Sequence, residues 1–438
     1  MAHKHSLSPF MATLININVM LGSGIFINIT ELAQRTGVLG FICYALVGFL
    51  LLPLVASMAT LTRLYPSGGF YIFAQHSLGE FFGFVSTWSY FIGKLASATI
   101  MMHISVLILQ QLFPALHIIS PFILDITILS CFIALNMLNM KTGSIIQGSF
   151  TTLKLIPIVF VIGAGLLYIQ GSNFGTVHQV WSGIPLSLPL VVYAMIGFEV
   201  VCALSGHIKD AQKNAPRVIF TSYGIAVGLV VLFQLFFYGM VGSSLAMQES
   251  FRDAYPLLFS YLMPWWPTIA HIASSFCNFA IASSALGGAY GILFSNSWNL
   301  YTLAQHNHIL NAPLFTHLNK HHIPTFCVLA EGALCLFYLM VSGGRQVVLQ
   351  QLGVLGVVSC LSLSVLSLAF ACKRTATTNI SLWIPLLGLI NCAILIAACV
   401  RGLMLTGPLA LIAFIIILFL GCIIFYVQRF RTMRNALR

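Results

Sequence analysis

Charge is what this sequence has least of. Its 438 residues include 19 Lys and Arg and 8 Asp and Glu, so charged side chains make up 6% of the chain. A soluble globular domain carries about 25%. With 59% of the residues apolar, too few polar groups remain to cover a surface in water, which excludes a soluble enzyme or regulator, and disorder with it. Catalytic patterns are absent too. There is no HExxH and no GxSxG, and the only aspartates besides Asp125 are Asp210 and Asp253, both between apolar runs. An intramembrane hydrolase or lipid transferase therefore lacks its constellation. No pore loop or ring of charge marks a channel. The 11 cysteines form no CxxC pair and sit mostly inside apolar runs, so they read as small hydrophobes rather than a disulfide framework. Neither a metal site nor a cofactor is expected. The N-terminus has no cleavable signal pattern; its first apolar run serves as its own insertion signal.

Apolar runs of about 20 residues, long enough to cross a bilayer as helices, recur from end to end. Twelve spans are predicted, near 10–34, 38–62, 81–111, 121–139, 145–169, 185–208, 216–243, 267–299, 323–341, 347–372, 382–400 and 407–428. The fold class is an all-α polytopic membrane protein. The net charge of +11 lies scattered over short loops and the C-terminal tail, with no aromatic platform for nucleic acid; it reports topology instead. With the N-terminus inside, one side of the membrane holds Lys4, Arg63, Lys141, Lys209, Lys213, Arg217, Lys320, Lys373, Arg374, Arg429, Arg431, Arg434 and Arg438. The other side holds Arg35, Arg252, Arg345 and Arg401. This bias predicts both termini in the cytoplasm and a chain set in the cytoplasmic membrane, with the lipid bilayer as its surroundings.

Two spans are interrupted alike. Span 1 carries Gly22-Ser23-Gly24 at mid-membrane, and span 6 carries Gly197 followed by Glu199. Glycine weakens a helix and lets backbones approach closely. Small residues serve helix packing in membranes, but a matched pair of interruptions in equivalent members of two halves points to a transporter with inverted repeats and a midplane site. Lipid satisfies no freed backbone group. The N–H groups of Ser23, Gly24 and Ile25 start a half-helix and suit a carboxylate. Carbonyls near Met20 and from Tyr193 to Ile196 end half-helices and suit an ammonium. Together they match the two charges of an α-amino acid.

The same residues carry a resemblance. Gly22-Ser23-Gly24-Ile25-Phe26 resembles the GSGIF signature of the amino acid–polyamine–organocation (APC) superfamily, and Tyr193-Ala194-Met195-Ile196-Gly197-Phe198-Glu199 resembles its span-6 motif. Tyr65-Pro66-Ser67-Gly68-Gly69-Phe70-Tyr71 is similar to the segment leading into span 3, and Asn214-Ala215-Pro216-Arg217-Val218-Ile219 to the entry of span 7. The motifs lie in order, and the span count agrees to the C-terminus. The resemblance implies an amino-acid permease of LeuT-type fold. Residues 1–169 (spans 1–5) and 185–372 (spans 6–10) would be its two inverted repeats, with spans 11 and 12 and a basic tail in 382–438. It implies alternating access around a substrate whose carboxylate lies on Ser23, Gly24 and Ile25 and whose amino group meets Met20, Tyr193 and Ile196. Tyr193, with Phe198, would gate the site. Two departures stand out: Met195 replaces an aromatic, and Gly206-His207-Ile208-Lys209-Asp210 replaces an acidic pair after span 6.

Ionisable residues inside a membrane are expensive and are functional candidates by default. Here they are Lys94, Asp125, Lys154, Glu199 and Glu331. In the resembled family a span-5 lysine takes the place of sodium between spans 1, 5 and 8. That implies a coupling role for Lys154, with Ser283 or Ser284 as its span-8 partner, either exchanging a proton or acting as a fixed cation. Glu199 reads as a carboxylate bonded to N–H groups at the start of the second half-helix, the alternative being a titrating gate. Lys94 has no partner nameable from sequence, Glu331 no role, and Asp125 reads as interfacial. His306, His308, His317, His321 and His322 crowd one loop, at spacings that fit no standard zinc pattern. The predicted function is secondary transport of amino acids, neutral ones since few acids are available, either proton-coupled or by sodium-independent exchange. The alternative is an antiporter of cationic amino acids or polyamines.

Overall fold

The computed structural model describes residues 7–66, 69–138, 153–175, 180–205, 208–374 and 381–436. Lys4, Ser67, Gly68, Lys141, Gly206, His207, Arg438 and residues 145–152 of the fifth predicted span lie outside them. Among the described residues the chain is helical, and its β pairing is confined to two isolated bridges.

Polar residues set the helix starts. Ser8 accepts a hydrogen bond from the Met11 N–H at 3.2 Å and Pro9 opens α1 (Pro9–Met20); a side-chain oxygen and a proline suit the orphan donors of a first turn. Two short helices follow, α2 (Gly24–Ile27) and α3 (Ile29–Thr36), before Gly37, at φ 58°, turns the chain into α4 (Gly40–Leu64). The next helices are α5 (Gly69–Leu78), α6 (Glu80–Leu112), α7 (Pro121–Asn136) and α8 (Leu155–Tyr168). Then come α9 (Gly183–Met195), α10 (Val200–Leu204), α11 (Ala211–Val241), α12 (Ala254–Leu262) and α13 (Pro267–Gln305). The rest are α14 (Ala312–Phe315), α15 (Thr325–Ser342), α16 (Gln346–Arg374), α17 (Trp383–Thr406) and α18 (Pro408–Ala436).

Among the described residues, ten stretches are long and apolar enough to cross a membrane. The predicted span at 121–139 corresponds to the shorter apolar helix α7, of 16 residues; of the span at 145–169 the residues from 153 onward are described, and they carry α8, of 14 residues. At 1.5 Å per residue, α7 is about 24 Å long, short of the roughly 30 Å of a hydrocarbon core. Two short helices, α5 and α12, also fall in segments read from the sequence as loops.

The centre of the bundle is α6, with α13 and α16 packed along it. Gly93 of α6 meets Gly356 of α16 so closely that a Cβ built on Gly356 would lie 2.5 Å from the Gly93 Cα. This is the small-residue contact that substitutes for hydrophobic driving force between helices in lipid. The outer helices turn bare apolar faces outward, with Ile390 and Leu405 of α17 and Leu409, Phe419 and Ile423 of α18 exposed. Such a face in water would aggregate; in lipid it is solvated.

Candidate functional site

Both interrupted spans are broken, and the breaks face each other. At the first, Leu21 leaves helical geometry (ψ 64°) and the Gly22 N–H turns back onto the Met20 carbonyl at 2.8 Å. The chain resumes when Phe26 and Ile27 donate to the Ser23 carbonyl at 3.0 and 3.1 Å. Among the described residues, the N–H groups of Ser23, Gly24 and Ile25 have no acceptor, and the buried Ser23 hydroxyl faces that of Tyr193. At the second break, Ile196 is extended (φ −67°, ψ 143°) and Gly197 sits at φ 139°, a region costly to any residue with a Cβ. The carbonyls of Tyr193, Ala194, Met195 and Ile196 receive no backbone N–H among the described residues. A Cβ on Gly24 would stand 2.8 Å from the Ala194 Cα, so the two breaks touch through the absence of a side chain.

A cavity of about 290 Å³ opens beside them, close to the lower end of small-molecule sites, about 300–1,000 Å³. Met20, Gly22, Gly24, Tyr193 and Ile196 line it, with Lys94 of α6, Lys154 just before α8, and Ser284 of α13. Small residues form part of the remaining wall, Gly287, Gly288 and Gly291 of α13 and Gly353 of α16, beside larger ones such as Tyr90, Met101 and Phe294 and the polar Asn18 and Asn296. The Tyr193 hydroxyl is buried beside that of Ser23.

The other sequence candidates lie outside this lining. Ser23 and Ile25 are buried behind it, and Ser283, one residue from Ser284, does not reach it. Phe198 packs edge-on against Tyr223 of α11, ring centroids 5.7 Å apart, and is directed into the protein core. Lys154 donates to the Asn18 carbonyl of α1; no bond to Ser283 or Ser284 is present. Glu199 is fully buried, and its Oε2 accepts from the Gly197 N–H at 2.8 Å.

Three features have no sequence signal that pairs them. Lys94 Nζ lies 2.9 Å from Glu199 Oε1 and 5.3 Å from the Tyr90 ring centroid. His103 Nδ1 bonds Asp125 Oδ2 at 2.7 Å, so Asp125 is buried inside the bundle. Asn28, at the junction of α2 and α3, donates to the Leu190 carbonyl of α9 at 2.7 Å and accepts from Gln350 of α16 at 2.9 Å, fastening the outer half of the first broken span to two helices. Of the crowded histidines, His308 bonds the Tyr71 hydroxyl at 2.6 Å and His306 stacks on the Tyr71 ring. Among the described residues no three His, Cys, Asp or Glu side chains converge as a metal site would require. Glu331 is buried in α15, outside the cavity lining but against Asn296, which belongs to it.

The chain is similar over 347 residues to an uncharacterized amino acid permease of Bacillus subtilis, at 24% identity, covering 75% of this chain and 72% of the relative. It is 24% identical over 397 residues to an uncharacterized transporter of Mycobacterium bovis, covering 88% and 84%, and matches a transporter of Mycobacterium tuberculosis equally well. The model of the amino acid permease family matches residues 7–429. Together with a helical bundle broken twice around a small cavity, this identifies a multi-pass membrane transporter, and the chain belongs to the amino acid permease family.

Proposed function

We propose that this permease is a secondary active transporter that carries neutral amino acids across the cytoplasmic membrane by alternating access. Its twelve spans would form a LeuT-type pair of inverted repeats (1–169 and 185–372), with both termini in the cytoplasm and α7 and α8 as the fourth and fifth spans. One observation supports the reading: the two breaks meet at one cavity, where Gly24, among the unpaired N–H groups, and Tyr193 and Ile196, among the unpaired carbonyls, line the wall, with Ser23 and Ile25 directly behind it. An α-carboxylate on the first set and an α-ammonium at Met20, Tyr193 and Ile196 satisfy both by charge-assisted bonds. Tyr193 closes over the substrate, with Phe198 bracing the turn behind it. No Asp or Glu lines the cavity, which favours an uncharged side chain over the cationic or polyamine alternative.

Lys154 supplies the coupling. Its ammonium holds the Asn18 carbonyl beside the break, so a proton leaving Lys154 loosens α1 where the substrate sits. The test is uptake into proteoliposomes of labelled leucine, alanine and glutamate, with and without an inward proton gradient, in the absence of sodium. Wild-type protein accumulates leucine or alanine under the gradient, and Lys154→Ala loses accumulation at least about tenfold, the effect of about 1.4 kcal/mol. Uptake seen only with amino acids preloaded inside makes the protein an exchanger with Lys154 as a fixed cation. Transport of none of the three overturns the substrate class.

A further inference from the structure

We infer that Lys94 is the residue that sets the charge preference of the site: it shields Glu199 from the cavity and so closes the permease to cationic side chains. The inference rests on the transport function proposed above and deepens it. The geometry is asymmetric. Lys94 lines the cavity, whereas Glu199 does not and is completely buried. Lys94 Nζ stands 2.9 Å from Glu199 Oε1, and the remaining oxygen of the carboxylate is held by the Gly197 N–H. The acid beside the second break is thus held from two sides, by an ion pair and a backbone N–H, and what the cavity sees of the pair is an ammonium seated over the Tyr90 ring.

Lys94 is paired with Glu199, so its charge is committed first to that carboxylate rather than to a substrate. Its charge still repels an ammonium or guanidinium brought into the same small space, and like charges juxtaposed at a recognition site are a device for rejecting the wrong partner. Lys154 adds a second cation to the same wall. Deleting the Lys94 side chain removes the repulsion, leaves Glu199 an uncompensated buried anion, and opens a channel the width of an alkylammonium leading to it. A substrate bearing a cationic side chain then supplies the missing charge, because an unpaired buried carboxylate gains most from whatever cation reaches it.

The test compares uptake of labelled leucine, lysine and arginine by reconstituted wild type, Lys94→Ala, Lys94→Arg and the double variant Lys94→Ala/Glu199→Gln. Wild type and Lys94→Arg carry leucine and neither cation. Lys94→Ala raises the ratio of lysine or arginine uptake to leucine uptake by at least about tenfold, in line with a charge repulsion turned into an attraction. The double variant, with no anion to reward a cation, returns that ratio to the wild-type value. Propylammonium, which fits the vacated space, restores leucine uptake to Lys94→Ala and does nothing for the double variant. An unchanged ratio in Lys94→Ala, or a gain that survives in the double variant, overturns the inference. If Lys94→Ala carries nothing, failure of propylammonium to rescue it overturns the inference equally. Wild-type uptake of arginine overturns it while leaving the transport reading intact, whereas wild-type transport of no probe at all refutes the transport reading itself.

Discussion

At the residue scale, the site depends on atoms that are missing as much as on those present. Gly24 is a glycine because any Cβ there would occupy the place of the Ala194 backbone. Gly24→Val will separate the two breaks and lower amino-acid uptake at least about tenfold, an effect of about 1.4 kcal/mol in binding, while the protein still elutes as a folded species in detergent. Uptake within twofold of wild type would show that the close approach is dispensable. A second residue acts outside the site. The pKa of His308, in the loop after α13, is held down to about 4 by burial first, then by its neighbours His306 and Arg429, with Glu80 opposing them. Its imidazole is therefore neutral when folded and accepts a proton more readily when unfolded. The stability this confers is complete above pH about 6.5 and is lost progressively as pH falls from there towards 4. Melting temperature should fall over that window as the Tyr71–His308 bond is disrupted, and His308→Gln should flatten the decline; an identical pH profile would show that the loop is not where acid acts.

At the scale of elements, the permease is organised around α6, and the tightest seam is the one with α16. The glycines at 93 and 356 place the two backbones in direct contact, and a Cβ on Gly356 would also lie 2.6 Å from the Ser89 carbonyl oxygen. Gly356→Leu forces the helices apart at the level of the cavity wall, which Gly353, Val354 and Val357 form. Overpacking of this kind costs about 1–3 kcal/mol. Thermal unfolding in detergent should show the loss, and the same seam should make Lys94 mobile, since Lys94 follows Gly93. An unchanged melting temperature would mean that the bundle absorbs the added volume elsewhere. The broken spans behave differently from this seam. Their freed groups are tied down by single bonds from other helices: Lys154 to Asn18, Gln350 and Leu190 to Asn28, Lys94 to Glu199.

At the scale of the whole molecule, function and solubility divide between inside and outside. The polar groups gather near the breaks, while α17 and α18 present little but aliphatic and aromatic surface. The distribution of Lys and Arg predicts the orientation of this bundle. Green fluorescent protein fused after Arg438 should fluoresce in a bacterial host, and alkaline phosphatase fused after Thr406, between α17 and α18, should be active. The reverse pattern would invert the topology.

Much of this was legible in the chain because it depends on local properties. Apolar runs of membrane length, sparse charge and glycines at mid-span act within one helix, so the class of the molecule and the two interruptions follow from reading along the sequence. The starts of α1 and α7, capped by Ser8 and Ser120, are local in the same way. Only the tertiary structure decided which charges share a site. Lys94 and Glu199, His103 and Asp125, and Asn28 and Gln350 are each joined across helices whose packing the sequence does not encode in any short pattern. The same holds for Phe198, which a motif places beside Tyr193 and the turn at Gly197 directs the other way, against Tyr223. Hydrophobicity sets how many helices form; the contact of glycine with backbone, and the need of each buried charge for a partner, set how they meet.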